Sequence, residues 1–422
     1  MHSVTNAIPT GTIASIPAKA HAHRALICAA LANSPSTILL SRTSKDIDAT
    51  MDSLRGLGAH VVYENKIVTV TPGPAPAKGN VVPHESGTTL RLLLPVAASI
   101  CNDVDVDAKG RLPDRPLEPM LSEMKAHGVT FSQDKPPFTM MGRLQGGNFS
   151  MVGDVSSQFF SGLLLAAPQI GLSTITSTTP LQSSDYVTLT TETMRDFGVE
   201  VEHTLPDTNI NEAFTVPFGA SFIGRDNYQI EGDWSNTAIW MVAAAMTGKP
   251  ITITGMNKNS VQADRRIMQV MIDAGCDVVW DGMNVTVTGR ASKPIHADLE
   301  QMPDMLPVMA ALACSISGES SFVKGARLRL KESDRLVAVA NLIRDFGGTV
   351  CEEGDDLYII GSGILKGGHG DCVNDHRLVM AGTLMALISE NPVTLQDSEA
   401  ITKSYPDFFE DWNLLGGNAQ PV

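Results

Sequence analysis

Apolar and polar positions along the chain form one phrase, about 70 residues long, that recurs six times. An amphipathic helix pattern ends in glycine and gives way to an alternating strand, a turn and a second strand, as in MDSLRGLGAHVVYENKIVTVTPG from Met51 to Gly73. The same helix ending returns at Met124–Gly128, Met194–Gly198, Met271–Gly275 and Ile343–Gly347, and a sixth stands at Leu415–Gly416.

A second series keeps the same spacing. Polar loops at Lys19–Arg24, Glu85–Arg91, Asp154–Gln158, Asp233–Asn236, Met302–Asp304 and Asn374–Arg377 each open into a nearly all-apolar helix, from ALICAALA in the first to LVMAGTLMAL in the last. A helix that is apolar on every side belongs inside a domain. Each repeat therefore predicts one buried helix, one amphipathic helix and the strands between them, an α/β fold.

At 422 residues the chain exceeds what one core normally encloses, so two domains of three repeats each are expected. The sixth repeat reads as ending near Trp412–Gly417 without closing strands, while Thr12 to Ile16 is a spare extended segment ahead of the first polar loop. If that segment completes the last repeat, one domain runs continuously over residues 17–230 and the other joins residues 1–16 to residues 231–422. The crossings near Pro17 and Glu231–Gly232 are then the natural hinges.

Composition narrows the class. Hydrophobic residues make up 43% of the chain and no apolar run reaches the roughly 18 residues of a membrane span, which predicts a globular protein with no membrane partner. Met1 to Pro17 lacks the charged and apolar stretches of a secretory leader, so a cytoplasmic location is expected. Six cysteines are scattered without a C-x-x-C pair, which argues against a zinc cluster or a redox dithiol. A net charge of −15 argues against nucleic acid and anionic membranes as partners.

Within this acidic chain the basic residues are unevenly placed. Lys19, Arg24, Arg91, Arg111, Arg115, Lys331, Arg335, Arg377 and Lys403 lie in or beside the helix-start loops. Helix N-termini present unpaired N–H groups and the positive end of the dipole to phosphate or carboxylate. Ser156, Ser157 and Gln158 add neutral donors, and arginine grips oxyanions bidentately. Six equivalent loops predict a ligand with at least two anionic groups.

Taken one loop at a time, blander readings hold. Lys331–Arg335 reads as the charged first turn of an amphipathic helix, and Ser156–Ser157 as an ordinary helix cap. His21 and His23 lack a third and fourth metal ligand at suitable spacing. Gly361-x-Gly363-x-x-x-Gly367 departs from the dinucleotide fingerprint and follows the strand Leu357–Ile360 without a clear helix. The functional reading draws its weight from co-occurrence at equivalent positions of a repeat.

Six segments carry a resemblance when read together. They are Lys19–Arg24, Glu85-Ser86-Gly87-Thr88 with Arg91, Gly153–Gln158, the run Arg327–Arg335 containing K-E-S-D-R, Asn374-Asp375-His376-Arg377 and Lys403–Asp407. Across essentially the whole chain, and in order, they resemble the loop motifs of the 5-enolpyruvylshikimate-3-phosphate synthases. The resemblance implies a two-domain inverse α/β barrel built from six repeats, three per domain. It also implies transfer of the enolpyruvyl group of phosphoenolpyruvate to the 5-hydroxyl of shikimate 3-phosphate, a step of the shikimate pathway, by a monomer with no metal or organic cofactor.

By motif match, Lys19, Gly87, Arg115, Gln158, Arg335, His376, Arg377 and Lys403 would hold phosphoenolpyruvate. Arg24, Ser156, Ser157, Gln158, Ser183, Tyr186, Asp304 and Lys331 would hold shikimate 3-phosphate, with Arg24 at its carboxylate and the three serines and Lys331 at its phosphate. Asp304 matches the general base toward the 5-hydroxyl. Glu332 and Lys19 match the groups that move protons on and off the enolpyruvyl carbon.

The chain also departs from the pattern. Where the family usually reads Pro-x-Ser-Lys-Ser, it has Pro17-Ala18-Lys19-Ala20, and the serine after the lysine normally helps bind the shikimate carboxylate. A hydrogen bond to a charged group is worth about 1.5–3 kcal/mol, so weaker acceptor binding or a modified acceptor is expected. Glu85-Ser86 replaces the Asn-Ala often found before Gly87-Thr88. The UDP-N-acetylglucosamine enolpyruvyl transferases share the implied fold and donor, but they usually carry a reactive cysteine in a loop that here reads Lys109 to Pro116 with none. Two further readings stay open: a paralogue acting on another phosphorylated cyclic alcohol, and a polyanion-binding remnant without turnover. Loss of turnover would erode Asp304, Glu332 or Lys19 first, and all three are present.

Overall fold

A computed structural model of the chain describes residues 1–207 and 211–422. It divides into two compact units, residues 17–230 and residues 1–16 with 231–422, each with its own hydrophobic core. Each unit holds three four-stranded sheets. No helix among the described residues is long and apolar enough to cross a membrane.

All six sheets share one pairing pattern. In the second, Gly79–His84 runs parallel to Asp103–Ala108, which pairs antiparallel with Phe138–Met141, which in turn pairs antiparallel with Thr130–Phe131. The helix Gly87–Ile100 joins the two parallel strands, as a parallel pair requires a crossover. Val104, Val106 and Ala108 alternate inward along the central strand.

The all-apolar helices are buried, as their composition requires. In the 17–230 unit the helices Lys19–Ala30, Gly87–Ile100 and Ser157–Ile170 pack against one another, and in the other unit Trp234–Thr247, Leu306–Ser315 and His376–Met385 do the same. All ten residues of His376–Met385 are buried.

The glycine that ends each amphipathic helix has a backbone cause. Gly58, Gly128, Gly198, Gly275, Gly347 and Gly416 all have φ between +79° and +104°, a region costing other residues about 1–2 kcal/mol. The residue after each donates its N–H to a carbonyl five positions back: Ala59 to Leu54, Val129 to Met124, Val199 to Met194, Cys276 to Met271, Gly348 to Ile343 and Gly417 to Trp412. This is the Schellman closure of a helix C-terminus, made six times.

The ends of the chain depart from the expectation. Gly11–Ala14 does not complete the sixth repeat, because it pairs in parallel with Ile251–Thr254 in the fourth sheet. The sixth sheet is closed by His2–Thr5, which lies between Val393–Gln396 and a last strand, Asn418–Pro421. These two closing strands are four residues long and each buries a single residue, Val4 or Ala419, so neither shows the alternation that marks a strand in sequence. Tyr228–Gln229 similarly joins Ser36–Leu39 in the first sheet. Each crossing segment thus gives its edge strand to the compact unit it is leaving.

Candidate active site

In the 17–230 unit the starts of buried helices meet. Ser156 caps the helix Ser157–Ile170, its Oγ accepting from the Gln158 backbone N–H at 3.3 Å, and both serines are buried. The Gln158 amide reaches the start of the neighbouring helix, where Nε2 donates to Thr88 Oγ1 at 2.9 Å and Oε1 accepts from Arg91 Nη1 at 3.0 Å. Arg91 also donates to the Pro116 carbonyl at 3.2 Å, one residue beyond Arg115. Gly87 lies so close to the Arg115 guanidinium that a Cβ there would stand 2.6 Å from Nη1.

Arg24 is 1% exposed. Its Nε donates to Thr190 Oγ1 at 2.7 Å, Nη1 to the Ala20 carbonyl at 2.7 Å, and Nη2 to Ser161 Oγ at 3.2 Å and the Tyr186 carbonyl at 2.9 Å. A guanidinium has five N–H groups, so one on Nη1 remains for a ligand. Burial pushes its pKa down to about 10. Tyr186 lies in the first turn of the helix Asp185–Asp196, and its N–H donates to the carbonyl of Ser183, a buried residue with φ of +54°.

Lys19 begins the helix Lys19–Ala30, where Ala18 sits at the N-cap with no side chain to cap it. The Lys19 Nζ donates to Asp46 Oδ2 at 2.7 Å. The two nearby histidines serve the fold: His21 Nε2 meets Tyr228 Oη at 2.8 Å and His23 Nδ1 meets Thr50 Oγ1 at 2.7 Å. Among the described residues, no group of His, Cys, Asp or Glu side chains is placed to hold a metal ion.

The other compact unit carries a cluster of opposite charges. Lys331, Glu332 and Ser333 stand ahead of the helix Arg335–Asp345, with Asp334 as its cap. The run is therefore not a helical first turn, and only Arg335 lies inside the helix. Arg335 meets three carboxylates: Nη1 donates to Asp304 Oδ1 at 2.6 Å, Nη2 to Glu332 Oε2 at 2.6 Å, and Nε and Nη2 to the two oxygens of Asp375 at 2.8 and 3.2 Å. Lys331 Nζ lies 3.0 Å from the same Asp304 oxygen.

Asp304 belongs to the short turn Pro303–Met305 that leads into the buried helix Leu306–Ser315. Burial alone would raise its pKa, but Lys331, Arg335 and Arg377 together hold it well below the usual carboxylate range, so it is ionised at neutral pH. Burial lowers the Lys331 ammonium in spite of the Asp304 charge beside it. The side chains of Asp304, Lys331 and Glu332 are 22%, 19% and 24% exposed, whereas Arg335 is 2% exposed and keeps one N–H, on Nη1, beyond its four hydrogen bonds.

Asp375 is fully buried and caps the helix His376–Met385 by accepting from the Arg377 N–H at 2.9 Å. It also accepts from Ser333 Oγ at 2.9 Å, and the buried His376 places Nδ1 3.8 Å away. Arg377 reaches the start of the helix Trp234–Thr247, where Nη1 donates to the Ser235 carbonyl at 2.9 Å and Nη2 donates to Ser235 Oγ. Lys403 ends the turn Ser398–Lys403 and donates to the Asn374 carbonyl at 2.8 Å.

Asp304, Lys331, Glu332 and Arg335 are thus in one bonded group. Asp375 ties that group to the start of the helix bearing His376 and Arg377, while Asn374 ties Lys403 to the same loop. Asp46, Thr88, Ser235 and Asp375 hold these residues in place, and none stands out as a ligand in the sequence. Asp375 had the clearest local signal, an aspartate one residue before a buried helix. Chemically, the group offers an ionised carboxylate open to a hydroxyl, with cations beside it to screen anionic ligands.

A model of the EPSP synthase family (3-phosphoshikimate 1-carboxyvinyltransferase) matches residues 7–412. A 3-phosphoshikimate 1-carboxyvinyltransferase of Clostridium kluyveri is 36% identical over 412 residues, covering 96% of this chain and 95% of the relative. One from Methanocorpusculum labreanum is 35% identical over 418 residues, covering 97% of each. Among solved structures, EPSP synthase from Acinetobacter baumannii shares the fold with a TM-score of 0.81 at 23% identity, covering 99% of both chains.

Proposed function

Since the chain belongs to the EPSP synthase family, we propose how its residues divide the reaction of that family. The chain transfers the 1-carboxyvinyl (enolpyruvyl) group of phosphoenolpyruvate to the 5-hydroxyl of shikimate 3-phosphate and releases phosphate, the enolpyruvyl-transfer step of the shikimate pathway to chorismate and the aromatic amino acids. What supports the assignment of roles is the setting of Asp304: an ionised, reachable carboxylate bonded to Lys331 and Arg335.

A proton delivered to C3 of phosphoenolpyruvate makes C2 electrophilic. The 5-hydroxyl oxygen attacks C2 while its proton passes to Asp304, giving a tetrahedral intermediate. Phosphate then leaves C2 as C3 loses a proton, which restores the double bond. Glu332 and Lys19 serve the C3 proton. Lys19, Arg115, Gln158, Arg335, His376, Arg377 and Lys403 bind the donor, with Gly87 making room for the Arg115 guanidinium. Ser156, Ser157, Ser183 and Lys331 take the acceptor phosphate, Arg24 its carboxylate through the remaining Nη1 hydrogen, and Tyr186 lines that side. Fixed cations stabilise the charge that develops on the intermediate.

Mass spectrometry of a reaction containing phosphoenolpyruvate and shikimate 3-phosphate tests the reaction, with the carboxyvinyl adduct of the acceptor as the expected product. Unchanged shikimate 3-phosphate would reject it. Gly87→Ala is expected to raise the Michaelis constant for phosphoenolpyruvate about tenfold by pushing the Arg115 guanidinium aside, since a 1 Å misplacement costs up to about 10²-fold. A Michaelis constant within about twofold of the parent would separate Arg115 from donor binding.

The paralogue reading keeps one point in its favour, the bare Ala18-Lys19-Ala20 segment. Ala20 contributes only its carbonyl, which holds Arg24. Ala20→Ser is expected to lower the Michaelis constant for shikimate 3-phosphate by about tenfold or more, the worth of one hydrogen bond to a charged group. If steady-state assays find that constant unchanged, Ala20 does not bear on the acceptor.

A further inference from the structure

Among the described residues, the four hydrogen-bond acceptors of Arg24 are all uncharged. Its Nε donates to Thr190 Oγ1, Nη2 to Ser161 Oγ and the Tyr186 carbonyl, and Nη1 to the Ala20 carbonyl. Arg335, by contrast, meets the carboxylates of Asp304, Glu332 and Asp375. A guanidinium ringed by carboxylates has its charge answered within the fold, whereas one ringed by hydroxyls and carbonyls keeps that charge for a ligand.

Two of the four acceptors, Thr190 and Ser161, are buried hydroxyls that none of the substrate-binding roles uses. Thr190 Oγ1 stands 2.7 Å from Ser161 Oγ and 2.9 Å from the Tyr186 carbonyl. Its single proton goes to one or other of these, away from the guanidinium, so a lone pair faces the Arg24 Nε. Arg24, Ser161 and Thr190 each lie one turn beyond a residue at a helix start: Ala20 in Lys19–Ala30, Ser157 in Ser157–Ile170 and Tyr186 in Asp185–Asp196. The hydroxyl pair therefore ties Arg24 to two other helices, whose first turns carry Ser157 and Tyr186, both assigned to the acceptor.

We propose that Thr190, with Ser161, is a positioning residue: the two hydroxyls fix the plane of the Arg24 guanidinium without neutralising it, aim its remaining Nη1 hydrogen at the acceptor carboxylate, and so set the preference for an acceptor that carries one. The inference rests on Arg24 binding the carboxylate of shikimate 3-phosphate. Valine has the shape of threonine without the hydroxyl, so Thr190→Val fills the same space and strips the acceptor from Nε. The guanidinium then turns to satisfy Nε elsewhere, and its Nη1 hydrogen leaves the carboxylate. An acceptor without the carboxylate charge loses little by that turn.

Calorimetric titration of the full chain with shikimate 3-phosphate and with its carboxamide, which lacks the carboxylate charge, tests this in the wild type, Thr190→Val and Thr190→Ser, beside Arg24→Gln as reference. The wild type should bind the carboxylate at least about thirtyfold more tightly than the carboxamide, and Arg24→Gln should bring the two within about threefold of each other. Thr190→Val should lower the ratio about tenfold, through weaker binding of the carboxylate alone, and leave the Michaelis constant for phosphoenolpyruvate within about twofold. Thr190→Ser, which keeps the hydroxyl, should hold the ratio within about twofold of the wild type. Equal weakening of both acceptors in Thr190→Val, an unchanged ratio there, or failure of serine to rescue overturns the proposal while leaving the role of Arg24 intact. A wild-type ratio near one, or an unchanged ratio in Arg24→Gln, instead removes the premise, and the proposal with it. If Thr190→Val does not fold, Ser161→Ala takes its place, with a ratio about fivefold lower as the expected result and an unchanged ratio as the one that overturns the proposal.

Discussion

Asp304→Asn is expected to lower kcat for carboxyvinyl transfer by about 10²–10⁴-fold, the usual contribution of a positioned general base, while the Michaelis constant for phosphoenolpyruvate stays within about threefold. Asparagine keeps an oxygen for the Arg335 and Lys331 donors that meet Asp304 at 2.6 and 3.0 Å, but it cannot take a proton. Together with Arg377, the same two cations hold the carboxylate ionised and make it a weak base. Anionic substrates that draw on the charge of Lys331 and Arg335 relieve Asp304 of part of that grip, so its basicity rises as the hydroxyl arrives. The separation of kcat from the Michaelis constant is the diagnostic. A kcat within about threefold of the parent would take Asp304 out of the chemical step.

Asp375→Ala is expected to destabilise the unit formed by residues 1–16 and 231–422 by about 3–5 kcal/mol, seen as a lower urea midpoint with an unchanged slope. Arg335 and Asp375 form a two-pronged pair in which the arginine side chain is 2% and the aspartate 0% exposed. Deleting the carboxylate strands a buried guanidinium, and it also removes the cap on the Arg377 N–H and the acceptor for Ser333. Asp375→Asn keeps the cap and one prong, so its loss should be smaller. A cost for the alanine variant below about 1 kcal/mol would mean that Asp304 and Glu332 suffice to hold Arg335.

Much of the fold was legible because the repeat has a local cause. Each amphipathic helix closes on a glycine at positive φ, a requirement that shows in the sequence whatever surrounds it. The buried helices were readable because continuous burial leaves no polar face. His2–Thr5 and Asn418–Pro421 were missed because one inward residue apiece makes no pattern, and a partner some four hundred residues away leaves no local trace. The same difference divides the charged residues. Lys331, Glu332 and Arg335 sit in a compact motif that a resemblance can carry, whereas Asp46 and Ser235 act on other segments. Asp46 meets Lys19 from a second helix, and Ser235 likewise meets Arg377 from another. Nothing in the sequence near Asp46 or Ser235 shows that pairing.

One measurement bears on the whole account: phosphate release from phosphoenolpyruvate by the wild-type chain, with shikimate 3-phosphate, unphosphorylated shikimate and UDP-N-acetylglucosamine offered in turn. Catalytic release with shikimate 3-phosphate, and little with the other two, is the predicted result. Release with UDP-N-acetylglucosamine in preference, or none with shikimate 3-phosphate while phosphoenolpyruvate still binds by calorimetry, would contradict it.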